Sequence, residues 1–149
     1  AEGVSSFATL GLSDRSIVDA EGDALPFGVE ILFACESGIE ELPNVLSTCA
    51  FSIMKDGFPV YPGCVIPNVL DQYDGLSATL SHAFLVAPFI WEGDFTTMEA
   101  GSKTVAFLQL VPITEAEYEL WKTKGADALE DIFEEVQIDI YDIDRVSAV

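Results

Sequence analysis

The sequence predicts an α+β fold, with a mixed, mainly antiparallel sheet of about five strands packed with about three helices. Three observations predict it. Two segments, Phe27–Cys35 (FGVEILFAC) and Lys103–Val111 (KTVAFLQLV), are dense in branched and aromatic apolar residues, as strands covered on both faces require. Helical patterns fall among the strands without strict β-α-β alternation, which argues against a doubly wound parallel sheet. Finally, 149 residues, half of them hydrophobic, suffice for a core without metals or disulfides. No internal repeat or low-complexity tract divides the chain, so residues 1–149 read as a single domain.

The elements follow in order. Phe7–Ser13 (FATLGLS) is short and apolar and reads as a strand, and Asp19–Ala24 (DAEGDA) is a polar loop. Phe27–Cys35 is then a central strand with few exposed positions. Pro43 follows an acidic run and suits the first position of a helix. Val45, Leu46, Cys49, Ile53 and Met54 recur near helical spacing, with Lys55 near the end and Gly57 able to stop the helix. Pro59–Asn68 is too proline-rich for regular structure, and Gly75 breaks the next piece. Ala83–Ile90 reads as a strand, with Pro88 marking an edge or a bulge. Lys103–Val111 is another strong strand, ended by Pro112.

Thr114 and Glu117 then form T-x-x-E, a capping box in which each side chain satisfies an orphan donor at a helix start. Ile113 and Tyr118 can close as a hydrophobic staple. Glu115 and Glu117 suit the positive end of this helix, Lys122 and Lys124 its negative end, and Gly125 a left-handed exit. Ala126–Val136 is a further helix, with Leu129, Ile132, Phe133 and Val136 on one stripe. Gln137–Ile143 (QIDIYDI) alternates in part and reads as a last strand, with a bulge or end at Asp142–Ile143.

Composition narrows the function. Six basic against 26 acidic residues give a net charge of −20, which repels nucleic-acid phosphates and anionic lipid and attracts a basic partner. Phe58–Trp91 carries only two charges, yet Pro59, Pro62, Pro67, Pro88 and two glycines interrupt it, so it is no membrane helix. This apolar stretch could instead line a small-molecule pocket or form a dimer surface. The cysteines, Cys35, Cys49 and Cys64, are odd in number and lack C-x-x-C or metal-ligand spacing, which fits buried thiols in the cytoplasm.

No catalytic set emerges. His82 is the only histidine, and its neighbour Ser81 should point to the opposite face of a strand. There is no G-x-S-x-G, P-loop or G-x-G-x-x-G motif. Asp139, Asp142 and Asp144 could gather around Ca²⁺ or Mg²⁺ but lack the spacing and glycine of an EF-hand. Tyr61, Tyr73, Trp91 and Trp121 suit core or anchoring roles better than a binding platform. The expectation is a chain without catalytic residues, metal or cofactor, with a small carboxylate- or His82-dependent hydrolase as the alternative.

Several of these segments resemble the suppressor-of-fused (SUFU) domain family. Phe7–Arg15 (FATLGLSDR) resembles its G-[LM]-S-D segment, carried here by Leu12, Ser13 and Asp14. Phe27–Phe33 (FGVEILF) resembles the strand that follows. Val105–Thr114 (VAFLQLVPIT), with Leu108, Gln109 and Leu110 at its centre, is similar to the family's L-Q-[LI]-V segment, and the match continues through Glu117, Gly125 and Leu129–Phe133. Asp144, Arg145 and Ser147 resemble its closing element.

The resemblance implies a protein-binding domain of the bacterial single-domain type. Such members look like immunity proteins that neutralise polymorphic toxins by stoichiometric binding. It also implies chain before the G-L-S-D segment that is missing here. Read together with the charge, the expected partner is a basic toxin domain, neither nucleic acid nor membrane, with oligomeric state open. The expected partner-binding residues are Asp127, Glu130, Asp131 and Glu134 on the acidic helix face, with Asp139 and Asp142 near it.

Overall fold

The computed structural model describes residues 3–91, 95 and 97–149. Among these residues six strands form one sheet: β1 Val4–Ala8, β2 Gly28–Glu36, β3 Cys64–Ile66, β4 Leu80–Val86, β5 Thr97–Ala100 and β6 Lys103–Thr114. Three α-helices accompany it: α1 Leu42–Asp56, α2 Glu115–Lys124 and α3 Ala126–Val136. The strand order is β1-β2-β6-β4-β3, with β5 also paired to β6. Only β2 and β6 run parallel; every other pair is antiparallel.

Strand β6 organises the sheet. β2 lies along one edge at Val105–Gln109, so the other edge receives β5 at Lys103–Ala106 and then β4 at Gln109–Thr114. Alternation along the strands divides the core in two. Ile31, Phe33, Leu85 and Leu110 face the stripe of α1 that carries Val45, Leu46, Cys49 and Ile53. Phe84, Val86, Val111 and Ile113 lie in a second core with Leu129 of α3, and Tyr118, Trp121 and Phe133 pack against it. The sheet is therefore covered by α1 on one face and by the α2–α3 pair on the other.

The helices begin and end where the residue chemistry requires. Pro43 sits in the first turn of α1, one place later than the spacing suggests, and Gly57 closes that helix at φ 69°. Both halves of the Thr114–Glu117 capping box are formed. Gly125 leaves α2 not by the expected left-handed turn but at φ 89° and ψ 177°, an extended positive-φ conformation open to glycine, and then caps α3.

The structure corrects six of the expected boundaries. The first strand is Val4–Ala8, not Phe7–Ser13; Gly11 turns at φ 100° and Leu12–Asp14 is one turn of 3₁₀ helix. The proline-rich stretch contains β3, placed by antiparallel pairing of Cys64–Ile66 with Ala83–Leu85. β4 occupies Leu80–Val86 instead of Ala83–Ile90, and its register shift lies between Leu80 and His82, not at Pro88. β5 adds a sixth strand whose four exposed residues carry no burial signal. Pro112 does not end β6. The ladder with β2 stops at Gln109, and the Pro112 carbonyl accepts from Arg145 instead, so the missing N–H costs no strand pairing.

The sixth correction is Gln137–Ile143, which is not a strand. Gln137 ends α3 in the left-handed region at φ 55°. Asp139 then accepts from the Tyr141 N–H and Asp142 from the Asp144 N–H, two turns in which aspartate side chains replace a strand partner. Ile138 and Ile140 still pack against the second core, so the alternation came from a tail crossing that core.

Candidate functional site

His82 is the natural place to look for chemistry. It is buried in β4, and its ring lies 4.2 Å from that of Tyr118. Its Nδ1 accepts the Asn68 N–H at 2.9 Å, so the ring proton sits on Nε2, which donates to Glu115 Oε2 at 2.5 Å. The lone pair a general base would use is thus engaged by a backbone donor. Asn68 holds a left-handed backbone at φ 60°, and His82 fixes that turn. The arrangement supports a bracing role.

The thiols are equally unsuited to attack. Burial pushes Cys35 and Cys64 up to about 11 and Cys49 higher still, and all three are free. Among the described residues no group of three or more His, Cys, Asp or Glu could hold a metal ion. Asp144, beside Asp139 and Asp142, accepts from the Ala78 N–H.

Two buried carboxylates explain the motif segments. Glu30, in β2, accepts from the Thr9 and Ser13 hydroxyls and from the N–H groups of Gly11, Leu12 and Ser13, at 2.6–3.2 Å. It therefore gathers the whole GLS turn onto the sheet. Gly28 must be small for the same reason, since a Cβ there would lie 2.5 Å from the Ser13 carbonyl oxygen. Leu12 enters the main core, while Asp14 is exposed and pairs with Lys103.

Glu117 is fully buried and accepts from both terminal guanidinium nitrogens of Arg145, at 2.7 and 2.8 Å. It also accepts from the N–H groups of Thr114 and Ala148 at 2.8 Å each. Burial alone would raise this carboxyl; the bonds from Arg145, Ala148 and Thr114, with the charge of Arg145, outweigh it and hold the group below the ordinary glutamate value. Thr114 Oγ1 bonds Ser147 Oγ at 2.8 Å, so the chain end is locked to the start of α2. Leu108 and Leu110 are core residues, and Gln109 Oε1 accepts the Phe89 N–H at 3.1 Å.

The expected partner-binding residues remain outside these networks. Asp127, Glu130, Asp131 and Glu134 are all exposed along α3, spaced at i, i+3, i+4 and i+7, and so share one flank. No basic residue occurs in α3. Partial burial raises the Glu130 carboxyl, and the charges of Asp127, Glu134 and Asp131 raise it further. Asp139 is exposed and Asp142 half-buried in the following turns.

Beside this flank runs an apolar groove of about 450 Å³ between α3 and the sheet, with Glu130 and Glu134 among its lining residues. Phe84, Val86, Ala87 and Phe89 of its lining belong to the Phe58–Trp91 stretch that the sequence offered as a pocket lining. Sequence reasoning missed the other apolar side, Val111, Phe133, Ile138 and Ile140, whose spacing a buried core produces equally well. Most of the large side chains of Phe58–Trp91, including Val65, Ile66, Val69, Leu70 and Leu85, are buried in the two cores, so little of that stretch is free for a dimer surface. Trp121 is an anchor, its indole donating to the Gly63 carbonyl at 2.7 Å.

The family model described as Suppressor of fused protein (SUFU) matches residues 1–146. The chain is similar to Immunity protein YqcF of Bacillus subtilis (strain 168), with 43% identity over 148 residues, covering 99% of this chain and 76% of that protein. Among solved structures it resembles a SUFU homolog from Neisseria gonorrhoeae FA 1090, with TM-score 0.65 and 22% identity over 98% of this chain and 87% of that one. It also resembles Drosophila Suppressor of Fused, with TM-score 0.68 and 16% identity over 96% of this chain and 38% of that one. Both structural likenesses speak to the fold alone. No helix among the described residues is long and apolar enough to cross a membrane.

Proposed function

The chain belongs to the suppressor of fused family, and from that premise we propose that it is an immunity protein. In this reading residues 1–149 act as one domain in the bacterial cytoplasm, where it binds a basic toxin domain one-to-one and masks it. The relative named Immunity protein YqcF supports the role. The observation that carries the mechanism is the α3 flank, where Asp127, Glu130, Asp131 and Glu134 stand without a basic residue on their own helix. A cationic surface docking there relieves that repulsion and is steered to it by the field of a chain of net charge −20. Asp139 and Asp142, in the turns that follow α3, are included in this proposed surface. If the toxin is a nuclease, the flank presents the charge that its substrate presents.

A hydrolase built on His82 has less support, because Asn68 occupies the nitrogen lone pair that the reaction needs.

The test is co-expression with each candidate basic toxin domain found in the reading frames that flank this gene. The folded chain should rescue growth and co-purify in equal amounts, and added salt should weaken the complex. A chain carrying Asp127→Lys, Glu130→Lys, Asp131→Lys and Glu134→Lys should stay folded and lose most of the binding. Rescue and salt-dependent binding that survive this reversal would place the contact elsewhere.

A further inference from the structure

Resting on the binding role above, we propose that the groove between α3 and the sheet is the anchor pocket of the interface. It receives an aromatic or aliphatic side chain from a cationic segment of the partner, whose Lys or Arg heads settle on Glu130 and Glu134.

The groove is built for such a side chain. Its accessible apolar surface is Phe89, Phe133, Ile138 and Ile140, each at least partly exposed, lying over Phe84 and Val86 of β4 and Val111 of β6, which are buried beneath. Phe133 of α3 walls it, held edge-on to Phe84 with ring centroids 6.2 Å apart. At about 450 Å³ it lies in the range of roughly 300–1,000 Å³ typical of ligand clefts, large enough for one or two side chains to enter. Phe89 is 54% exposed at the rim. Its backbone is fixed there by the buried Gln109 side chain, so the LQL segment sets one lip of the groove.

Charge selects the occupant. The edge on α3 is Glu130 and Glu134, backed by Asp127 and Asp131, and α3 offers no cation to balance them. A second copy of this chain would bring another net charge of −20 to the same rim, and fatty or phosphorylated ligands would bring their own anions. A segment carrying positive charge around an apolar anchor satisfies floor and rim together. This is the arrangement of protein interfaces, in which a dry centre provides affinity and a polar edge provides specificity.

Two synthetic 12-residue peptides of equal positive charge test the proposal, one with Trp and Leu between its lysines and one with Ser in their place. They are titrated into the full ¹⁵N-labelled chain. The apolar peptide should bind at least tenfold more tightly, and its largest shifts should fall at Val86–Phe89, Glu130–Glu134 and Ile138–Ile140. Phe89→Ser changes an exposed side chain and should leave the fold intact. It should remove most of the advantage of the apolar peptide while leaving the serine peptide unaffected. Glu130→Gln with Glu134→Gln should weaken both peptides and flatten their salt dependence. Equal binding of the two peptides, shifts centred elsewhere, or an unchanged advantage in Phe89→Ser would each overturn the groove. With the toxin itself, sensitivity to the α3 charge reversal combined with indifference to Phe89→Ser would leave the immunity role standing and sink the anchor pocket alone.

Discussion

Replacing Arg145 with Met tests what holds the C-terminal segment to the end of β6 and the start of α2. The substitution keeps an unbranched apolar stem and removes the guanidinium, and with it both charge-assisted bonds to Glu117, at 2.7 and 2.8 Å, and the bond to the Pro112 carbonyl at 2.9 Å. Glu117 then keeps only the Thr114 and Ala148 N–H groups and is left as a buried, unpaired carboxylate. Breaking one side of a buried pair costs about 3–5 kcal/mol. At about 2–4 °C per kcal/mol for a chain of this size, the midpoint of thermal unfolding should fall by roughly 10 °C. Urea unfolding followed by tryptophan fluorescence should show the loss as a lower midpoint at constant slope. Acid should act on the same site. The folded pKa of Glu117 lies below its unfolded value, so its contribution is complete above that unfolded value, about 4.3. The contribution is lost as the pH falls through the folded one, and the gap between wild type and Arg145→Met should narrow there. Replacing both partners, Glu117→Leu with Arg145→Met, should recover part of the loss, because no charge is then left buried. A variant Arg145→Met within 1 kcal/mol of wild type at neutral pH would refute the reasoning, since the ion pair would then be worth no more than an exposed one.

The remaining predictions separate scaffold from surface. Glu30→Ala leaves the Gly11, Leu12 and Ser13 N–H groups without their acceptor and should cost about 3 kcal/mol, with hydrogen exchange at those amides rising more than elsewhere in the chain. His82→Phe leaves the Asn68 N–H unpaired and should cost about 1–3 kcal/mol in urea unfolding. Binding of the toxin, measured per mole of folded His82→Phe protein, should be unchanged, and a loss there would return His82 to the functional site.

Much of the fold was legible because local chemistry agreed with the final packing. FGVEILFAC is a central strand with eight of the nine residues of β2 buried, and the Thr114–Glu117 capping box forms as its spacing demands. The failures have one physical source, which is that a residue pattern reports burial or turn propensity but not the partner that causes it. Ile138 and Ile140 alternate with polar residues because a tail crosses the second core, which at short range looks like a strand. Pro112 reads as a strand end because the Arg145 guanidinium that takes its carbonyl comes from 33 residues further on. β5 buries none of its four residues and exists only as a pairing with β6. At the candidate site the carboxylates of α3 were visible as composition, but the groove needs β4, β6 and the tail at once, and no single segment encodes it.

The segments that carry the family resemblance turn out to be fastenings. Ser13 is tied to Glu30, Glu117 to Arg145, and Thr114 to Ser147, while Leu12, Leu108 and Leu110 fill the core. Among the described residues no buried side-chain nitrogen or oxygen lacks a hydrogen-bond partner, so these networks hold nothing back for a ligand. A family built this way can keep its fastenings and exchange its partner, provided that the partner is read by side chains outside them. The α3 flank meets that condition. Asp127, Glu130, Asp131 and Glu134 are exposed and repel one another, which is a cost to the free chain that a cationic partner removes. Changing them to neutral residues should therefore stabilise the isolated protein slightly while weakening its complex. That opposite movement of stability and affinity is what marks a binding surface rather than a solvated helix face.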